Sequence, residues 1–414
     1  MSARQRPRTT CAKHNRCATI RTSVVLRKEG LLMSVTPSDI QEELVALARS
    51  FAEKEIRPFA AHYDETEETP WEPFNKASEL GLTSYDLPEE FGGGGITDLS
   101  TACLIHEELT YGDAPIGNFI GSASFFAGVI VELGTEAQKV RWVPPLCGPK
   151  PKLGALATTE PEAGSDASAI TTHAKPVEGG YLLNGSKTWI SNAGVAEYYL
   201  VFATVAPGTR SKGITAFVVE AGDEGFSVGN KLHKLGQRCI PTHEIFFQDV
   251  FLPEDRRIGG EGKGFSGLMK KFDESRVLLA AGEVGMGRAS LDYAVEYAKE
   301  RKAFGSAIHT NQAVSFRLVD ARMKIDQARL MAHHAAALAD AGKPFSAEAA
   351  MAKLAASEAC WFSAWACCQT LGGYAYSREY PAEKWLRDAK LEELWEGTSD
   401  IMRLVISRDM FPRV

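Results

Sequence analysis

Helical periodicity opens the chain's readable part at Ser38. Ser38-Asp-Ile-Gln41 has the form of a capping box, and apolar residues recur behind it at Leu44, Leu47, Phe51 and Ile56. A second helical piece runs from Trp71 to Leu80 and stops at Gly81; further ones are predicted over Leu99–Tyr111 and Phe125–Leu133. The pattern changes character between Pro144 and Pro151. Short β-type runs then follow at Tyr181–Leu183, Thr188–Ile190, Tyr198–Val205, Ile214–Val219 and Glu244–Phe247, with Gly179-Gly180 and Asn184-Gly185 read as turns between some of them. After Pro253 and the glycine-rich stretch Gly259–Gly264 the helical period returns. Val314, Leu318, Ala321, Ile325 and Ala328 step by four and three, which marks the buried face of a bundle helix.

The expected architecture is therefore α, then β, then α. Its parts are a basic leader (1–35), an N-terminal helical domain (36–152), a middle β-barrel or sandwich domain (153–262) and a C-terminal four-helix bundle (263–414). This order is not that of a dinucleotide-binding α/β sheet. Gly282-Glu-Val-Gly-Met-Gly287 lies inside a helical run, without the strand and turn a phosphate cradle requires, and is better read as close helix packing. Gly92–Gly95 likewise lacks that context.

Composition narrows the classes of function. With 44% hydrophobic and 24% charged residues, the 414-residue chain has an ordinary globular make-up. No apolar run is expected to approach the roughly eighteen residues of a membrane span. The eight cysteines include the adjacent Cys367 and Cys368 but form no CxxC pair, which argues for reduced thiols. Cys11, His14 and Cys17 make half a metal site with no second half, so no metal is expected. The first 32 residues hold eight Lys or Arg and one acid, a charge of +7; the whole chain carries −7, leaving −14 for residues 33–414. An acidic body is unsuited to nucleic acid. The leader has the Arg-rich, acid-poor make-up of a mitochondrial presequence but no clean amphipathic period. Alternatively Met33 is the start, since Lys28-Glu29-Gly30 is compatible with a purine-rich ribosome-binding site just upstream. The expected location is the bacterial cytoplasm, or the mitochondrial matrix if the leader is a presequence.

The stretch Arg387-Asp-Ala-Lys-Leu-Glu-Glu-Leu-Trp-Glu-Gly-Thr-Ser-Asp-Ile-Met-Arg403 carries the strongest candidate chemistry. Glu396 follows Leu391, Leu394 and Trp395, company in which a carboxylate is costly to ionise, so its pKa should rise toward a range useful for a general base. Gly397, Thr398 and Ser399 are expected to offer backbone N–H groups to an anion; the plainer alternative is that Thr398 or Ser399 caps the next helix. Thr158–Asp166 combines hydroxyls with Gly164 and suits a polar heterocycle and a pyrophosphate, or is a turn with a Ser-Asp cap. Trp189 and Ser191 offer an aromatic wall with a hydroxyl beside it, or a core tryptophan. Arg276 either holds a nucleotide phosphate or forms a surface ion pair. Arg301, Phe304 and Gln312 make a cationic and aromatic corner suited to an adenine dinucleotide; an exposed Arg and a Gly stop are the alternative. The double glycine after Gln369-Thr-Leu also reads as an ordinary helix stop.

Taken in this order, Thr159-Glu-Pro…Gly-Ser-Asp, Trp189-Ile-Ser-Asn, Arg301…Phe304-Gly and Arg387-Asp-Ala-Lys…Glu396-Gly-Thr-Ser resemble the acyl-CoA dehydrogenase family. The resemblance runs from about Ser38 to the end and includes Leu87-Pro-Glu-Glu-Phe-Gly-Gly, Cys103-Leu-Ile-His-Glu-Glu-Leu-Thr-Tyr-Gly112 and Tyr380-Pro-Ala-Glu-Lys. It implies an FAD-dependent homotetramer that converts an acyl-CoA thioester to the trans-2-enoyl-CoA, as in β-oxidation of fatty acids, with an electron-transferring flavoprotein as acceptor. By resemblance Glu396 is the α-proton base, and hydride passes from the β-carbon to FAD. Thr159, Ser165, Trp189 and Ser191 match residues around the flavin and pyrophosphate. Arg301, Phe304, Gln312, Gln369, Gly372 and Gly373 match FAD contacts made across a subunit interface, and Thr398 and Asp400 match the turn at the adenine half. Ser165, Asp273, Ser275 and Arg276 match positions that touch the CoA portion, and Gly397 is also expected to bind substrate.

Several positions depart from the family pattern. Glu162 stands where relatives often have Gly, Ser191 replaces a frequent Thr, Asp400 a frequent Gln or Glu, and Gly121 a larger acidic residue on the acyl pocket of the medium-chain subgroup. Acyl length stays open. The rival readings are a dehydrogenase of short branched-chain acyl-CoAs, a flavin oxidase or monooxygenase on the same scaffold, and a non-catalytic CoA-binding protein.

Overall fold

Ser38 caps the first described helix as the sequence predicts. Its hydroxyl accepts from the Gln41 backbone N–H while the Gln41 side chain accepts from the Ser38 N–H, closing a capping box on helix α1 (Asp39–Phe51). The computed structural model describes residues 38–411; the basic leader, Met33 and the Cys11, His14 and Cys17 group lie outside the described residues. Helices α2 (Ala60–Thr66), α3 (Trp71–Glu79), α4 (Leu99–Gly112), α5 (Ala114–Ile120), α6 (Ala123–Leu133) and α7 (Glu136–Trp142) complete the first helical part. Residues 114–133 are apolar enough, by length and composition, to reach the membrane-span threshold, which the sequence reading did not anticipate. They form two helices, α5 and α6, separated by Gly121 and Ser122, and Ile120, Phe126 and Ile130 are fully buried in the core.

The middle part holds β1 (Gly154–Ala157), β2 (His173–Val177), β3 (Gly180–Ser191), β4 (Tyr198–Thr204), β5 (Ile214–Glu220), β6 (Phe226–Lys231), β7 (Thr242–Pro253) and β8 (Arg257–Ile258). Their order is β6-β7-β3-β2-β4-β5-β8, with β1 paired in parallel to β4. The single pair His173–Thr204 joins β2 to β4, so the ladder consists of two halves. The Tyr181 and Phe217 rings, 5.0 Å apart, bring the halves face to face. Asn184-Gly185 is not the turn its composition suggested. β3 runs through it opposite a bulge of β7, and Gly185 (φ +138°) is needed there because a Cβ would meet Thr172 Oγ1 at 2.6 Å.

The second helical part is α8 (Gly264–Glu300), a short hairpin β9 (Lys302–Ala303) and β10 (Ser306–Ala307), then α9 (Gln312–Asp340), α10 (Ser346–Leu371), α11 (Ala382–Glu392) and α12 (Ser399–Met410). Helices α8, α9 and α10 pack together, α4 lies against α8, and α11 and α12 lie against α10. The periodic face of α9 is buried at Leu318, Ala321, Ile325 and Ala328. The Gly282–Gly287 cluster lets helices approach closely: a Cβ on Gly285 would stand 2.2 Å from Glu107 O, and one on Gly287 2.2 Å from Ile325 Cδ1.

Candidate active site

Glu396 sits on the loop between α11 and α12 with φ +53°, a left-handed backbone that costs about 1–3 kcal/mol for a residue with a Cβ. The surroundings impose it. Arg276 Nε on α8 donates to Glu396 O at 3.1 Å, and Lys353 Nζ on α10 donates to Gly397 O at 3.1 Å and to Glu392 O at 2.5 Å. The Lys353 side chain is fully buried. Gly397 (φ +100°) has Met402 Cε 2.6 Å from where a Cβ would be. The carboxylate is held by Ser275 Oγ, which donates to Oε2 at 3.0 Å. Burial raises the Glu396 pKa; the Ser275 hydroxyl, then Arg276, Lys353 and Lys271, oppose the rise without cancelling it.

Arg276 is turned inward, its side chain buried, with Nη1 2.9 Å from Asp273 Oδ1. Its Nε serves the Glu396 loop and its Nη1 pairs with Asp273, a buried ion pair where the sequence offered a surface one. The anion site expected at residues 397–399 is also reduced: Ser399 N–H donates to Glu393 O at 3.0 Å, and Thr398 Oγ1 caps α12 by accepting from Ile401 N–H. Asp400 is exposed beside Arg403. A surface cavity of about 300 Å³ is lined by Thr398, Ser399, Asp400 and Arg403.

The second group converges on β3. Trp189 lies in a bulge between Lys187 and Ile190 with φ +59°, which turns the indole outward to 59% exposure, so it is not a core tryptophan. Ser191 and Ser165 are exposed and Thr159 partly so. The Thr158–Glu160 strip is fastened to β3 by a buried pair that sequence reasoning missed. Lys187 Nζ is 2.8 Å from Glu160 Oε1 and 2.9 Å from Thr158 O, and Thr188 N–H donates to Thr159 O. Thr171 and Thr172 add donors to the Glu160 carboxylate. Burial pushes Glu160 up, but Lys187 and these donors outweigh it and hold the carboxyl at about 2. Thr158 Oγ1, buried beside them, has no partner among the described residues. An exposed indole, exposed hydroxyls and an unpartnered buried hydroxyl fit a flat polar heterocycle with an oxygen-rich tail.

The third group lies at the far end of α8. Arg301 Cζ stands 5.5 Å from the Tyr374 ring centroid, joining the β9–β10 hairpin to the Gly372-Gly373 turn after α10. Phe304 (φ +52°) is fully exposed, and Gln312, Gln369, Gly372 and Gly373 also face outward. From Ser275 to Arg301 helix α8 rises about 39 Å at roughly 1.5 Å per residue.

The site thus lies on an α-β-α scaffold of helices, sheet and helices, with a buried carboxylate on the loop before the last helix, α12. Residues 38–149, 155–250 and 262–411 match the family descriptions "Acyl-CoA dehydrogenase, N-terminal domain", "middle domain" and "C-terminal domain". The chain is 39% identical over 382 residues to the short-chain specific mitochondrial acyl-CoA dehydrogenase of Rattus norvegicus, covering 92% of each. The solved butyryl-CoA dehydrogenase of Megasphaera elsdenii is similar with TM-score 0.88 and 38% identity, over 91% of this chain and all of that one. PigA, solved with FAD and proline, matches with TM-score 0.88 and 31% identity, over 91% of this chain and 99% of that one. The chain belongs to the acyl-CoA dehydrogenase family. It is an oxidoreductase of CH–CH groups, and its cofactor is FAD.

Proposed function

We propose that the protein oxidises an acyl-CoA thioester to the trans-2-enoyl-CoA with Glu396 as the α-proton base. The observation that supports this is a carboxylate of raised pKa, held by Ser275 on a loop fixed by Arg276 and Lys353. A raised pKa makes a better proton acceptor once ionised, and a positioned base contributes about 10²–10⁴-fold. The Glu396 backbone N–H is assigned to the thioester carbonyl oxygen, where one donor to the developing enolate is worth on the order of 10²–10³-fold. FAD, when bound, accepts the hydride leaving the β-carbon. Thr159, Ser165, Trp189 and Ser191 would hold the flavin and pyrophosphate, and Thr398 and Asp400 the adenine half. Arg301, Phe304, Gln312, Gln369, Gly372 and Gly373 would serve the cofactor of a neighbouring subunit in a tetramer. Ser165 and Asp273 would flank the CoA, with Ser275, Arg276 and Gly397 shaping the loop around the thioester. An electron-transferring flavoprotein is the proposed acceptor, and the cytoplasm the proposed location.

The test is Glu396→Gln. It is expected to retain FAD and bind acyl-CoA while anaerobic flavin reduction by substrate falls by about 10³-fold or more. Near-normal bleaching by the variant would remove Glu396 from the role.

A further inference from the structure

The loop that carries Glu396 is closed by side chains at both of its ends. Glu392, the last residue of α11, lies one turn before the base. Its carbonyl oxygen and that of Gly397, on the far side of the base, take the same Lys353 ammonium. Its carboxyl reaches forward along the loop: Trp395 Nε1, on the residue next to Glu396, donates to Glu392 Oε2 at 2.7 Å. The other oxygen is fixed from the β part, where Gln237 Nε2 donates to Oε1 at 2.7 Å. Gln237 is itself held. It is fully buried, and its backbone N–H donates to Asp388 Oδ1 at 2.5 Å. At Gly236 before it, a Cβ would stand 2.5 Å from the Arg387 backbone, so the connection between β6 and β7 is pressed onto α11.

Glu283 of α8, also buried, meets the Glu392 carboxyl and has no other partner among the described residues. Two carboxylates in contact do not both ionise readily, so one proton lies between them. Burial raises both groups. Glu283 goes well above the carboxylate range and keeps the proton; Glu392 rises to about 7, with the Lys353 ammonium, the Trp395 indole and Glu283 opposing the rise. The other charges nearby are paired or neutral. Asp388 of α11 is paired with Lys384, which also meets Asp113 of α5, and Glu393 is paired with Lys390. Burial pushes the Cys360 thiol of α10 up, so it stays protonated. His106 of α4, joined to Gln237 through Asn118, is pushed down to about 4 and stays neutral. Ionised Glu392 therefore accepts from Trp395, Gln237 and Glu283 together. Protonation removes acceptor capacity and the charge that strengthens these bonds, which loosens Trp395.

Resting on Glu396 as the base, we propose that Glu392 is a positioning residue for it: the ionised carboxyl holds the Trp395 indole, and Trp395 fixes the backbone on which Glu396 is carried. Glu396 needs such a hold. Its φ of +53° is a strained left-handed conformation, which persists only while neighbours impose it. Lys353 grips the two ends of the loop, and the Glu392–Trp395 bond grips the residue beside the base. Displacing a catalytic group by about 1 Å costs on the order of 10²-fold in rate.

The test is stopped-flow anaerobic reduction of the flavin in the assembled holoenzyme by butyryl-CoA or hexanoyl-CoA, whichever is faster, read as a limiting rate and an apparent Kd. Trp395→Phe keeps a ring without the N–H, and Glu392→Gln keeps the shape without the charge; both are checked for bound FAD and assembly size. Each is expected to lower the limiting rate by about 10- to 100-fold while the apparent Kd stays within about threefold. The double variant is expected to lose no more than the worse single one, because both changes remove one interaction. In the unaltered enzyme the limiting rate is expected to rise with pH through a step near 7 as Glu392 ionises, a step that Glu392→Gln abolishes. Losses that multiply in the double variant, unchanged rates in both single variants, or a step near 7 that persists in Glu392→Gln each overturn the positioning role. A flavin that neither acyl-CoA bleaches in the unaltered enzyme, or that is bleached normally in Glu396→Gln, overturns instead the base on which it rests.

Discussion

Ser275 lies within hydrogen-bond reach of the proposed base and takes no proton in the reaction, so its removal isolates what positioning contributes. Burial raises the Glu396 pKa, and the Ser275 hydroxyl, which favours the charged form, is the largest opposing influence. Ser275→Ala should therefore raise that pKa further. The base works ionised, so the acid limb of the kcat/KM profile for flavin reduction should move to higher pH. A hydrogen bond to a charged group is worth about 1.5–3 kcal/mol, and about 1.4 kcal/mol corresponds to one pH unit, so a shift of about one to two units is expected. Ser275→Thr should restore most of it. An unmoved acid limb in the Ala variant would place the titrating group elsewhere. The burial of Glu396 was legible in the sequence because Leu394 and Trp395 directly before it imply desolvation. Lys353 was not legible: a lysine in an alanine-rich helix reads as solvated surface until α10 is seen to bury it under the loop.

The bulge that presents Trp189 depends on β3 being fastened to the Thr158–Glu160 strip, and the Lys187–Glu160 pair does the fastening. Burial pushes Lys187 down to about 8, while Glu160 stays ionised because its oxygens also take the Thr171 and Thr172 donors. Lys187→Met removes the cation and leaves a buried carboxylate, which typically costs about 3–5 kcal/mol. Chemical denaturation should show that loss, with weaker FAD retention as the strip loosens. A change below about 1 kcal/mol would mean that the threonine donors alone hold Glu160. The sign with pH follows from the depressed carboxyl. Its stabilisation is fully present above its unfolded value near 4.5 and is lost as pH falls toward about 2. At this scale the helices were readable because caps and apolar period agree, as at Ser38 and along α9. The strands were less so. β6 (Phe-Ser-Val-Gly-Asn-Lys) is an edge strand with little apolar burial, and Asn184-Gly185 has a turn's composition but sits mid-strand opposite a bulge of β7 at Gln248 and Asp249, with 65 residues between Asn184 and Asp249 in sequence.

Along the whole molecule, α8 separates Ser275, which the family resemblance places beside the CoA substrate, from Arg301, which it places on the FAD of a neighbouring subunit. Ser275 lies near its start, and Arg301 directly follows its end. About 39 Å of helix lies between them at roughly 1.5 Å per residue, which supports the proposal that Arg301 serves the cofactor of a second copy of the chain. The exposed apolar side chains of Phe304 and Tyr376, 100% and 96% accessible, are costly in an isolated subunit and fit a surface that another subunit covers. Subunit mixing separates this arrangement from a self-contained site. A chain with Glu396→Gln lacks the base but can lend Arg301 and Phe304; a chain with Arg301→Glu and Phe304→Asp lacks the lent residues but keeps its base. Each alone should be nearly inactive. Co-folded in equal amounts, half the subunit pairs should be mixed, and each mixed pair contains one intact composite site, so activity should return to about a quarter of the unaltered enzyme's. Mixing that restores nothing, in assemblies shown by mass to contain both chains, would mean that every site is built within one subunit and that Arg301 and Phe304 have another use.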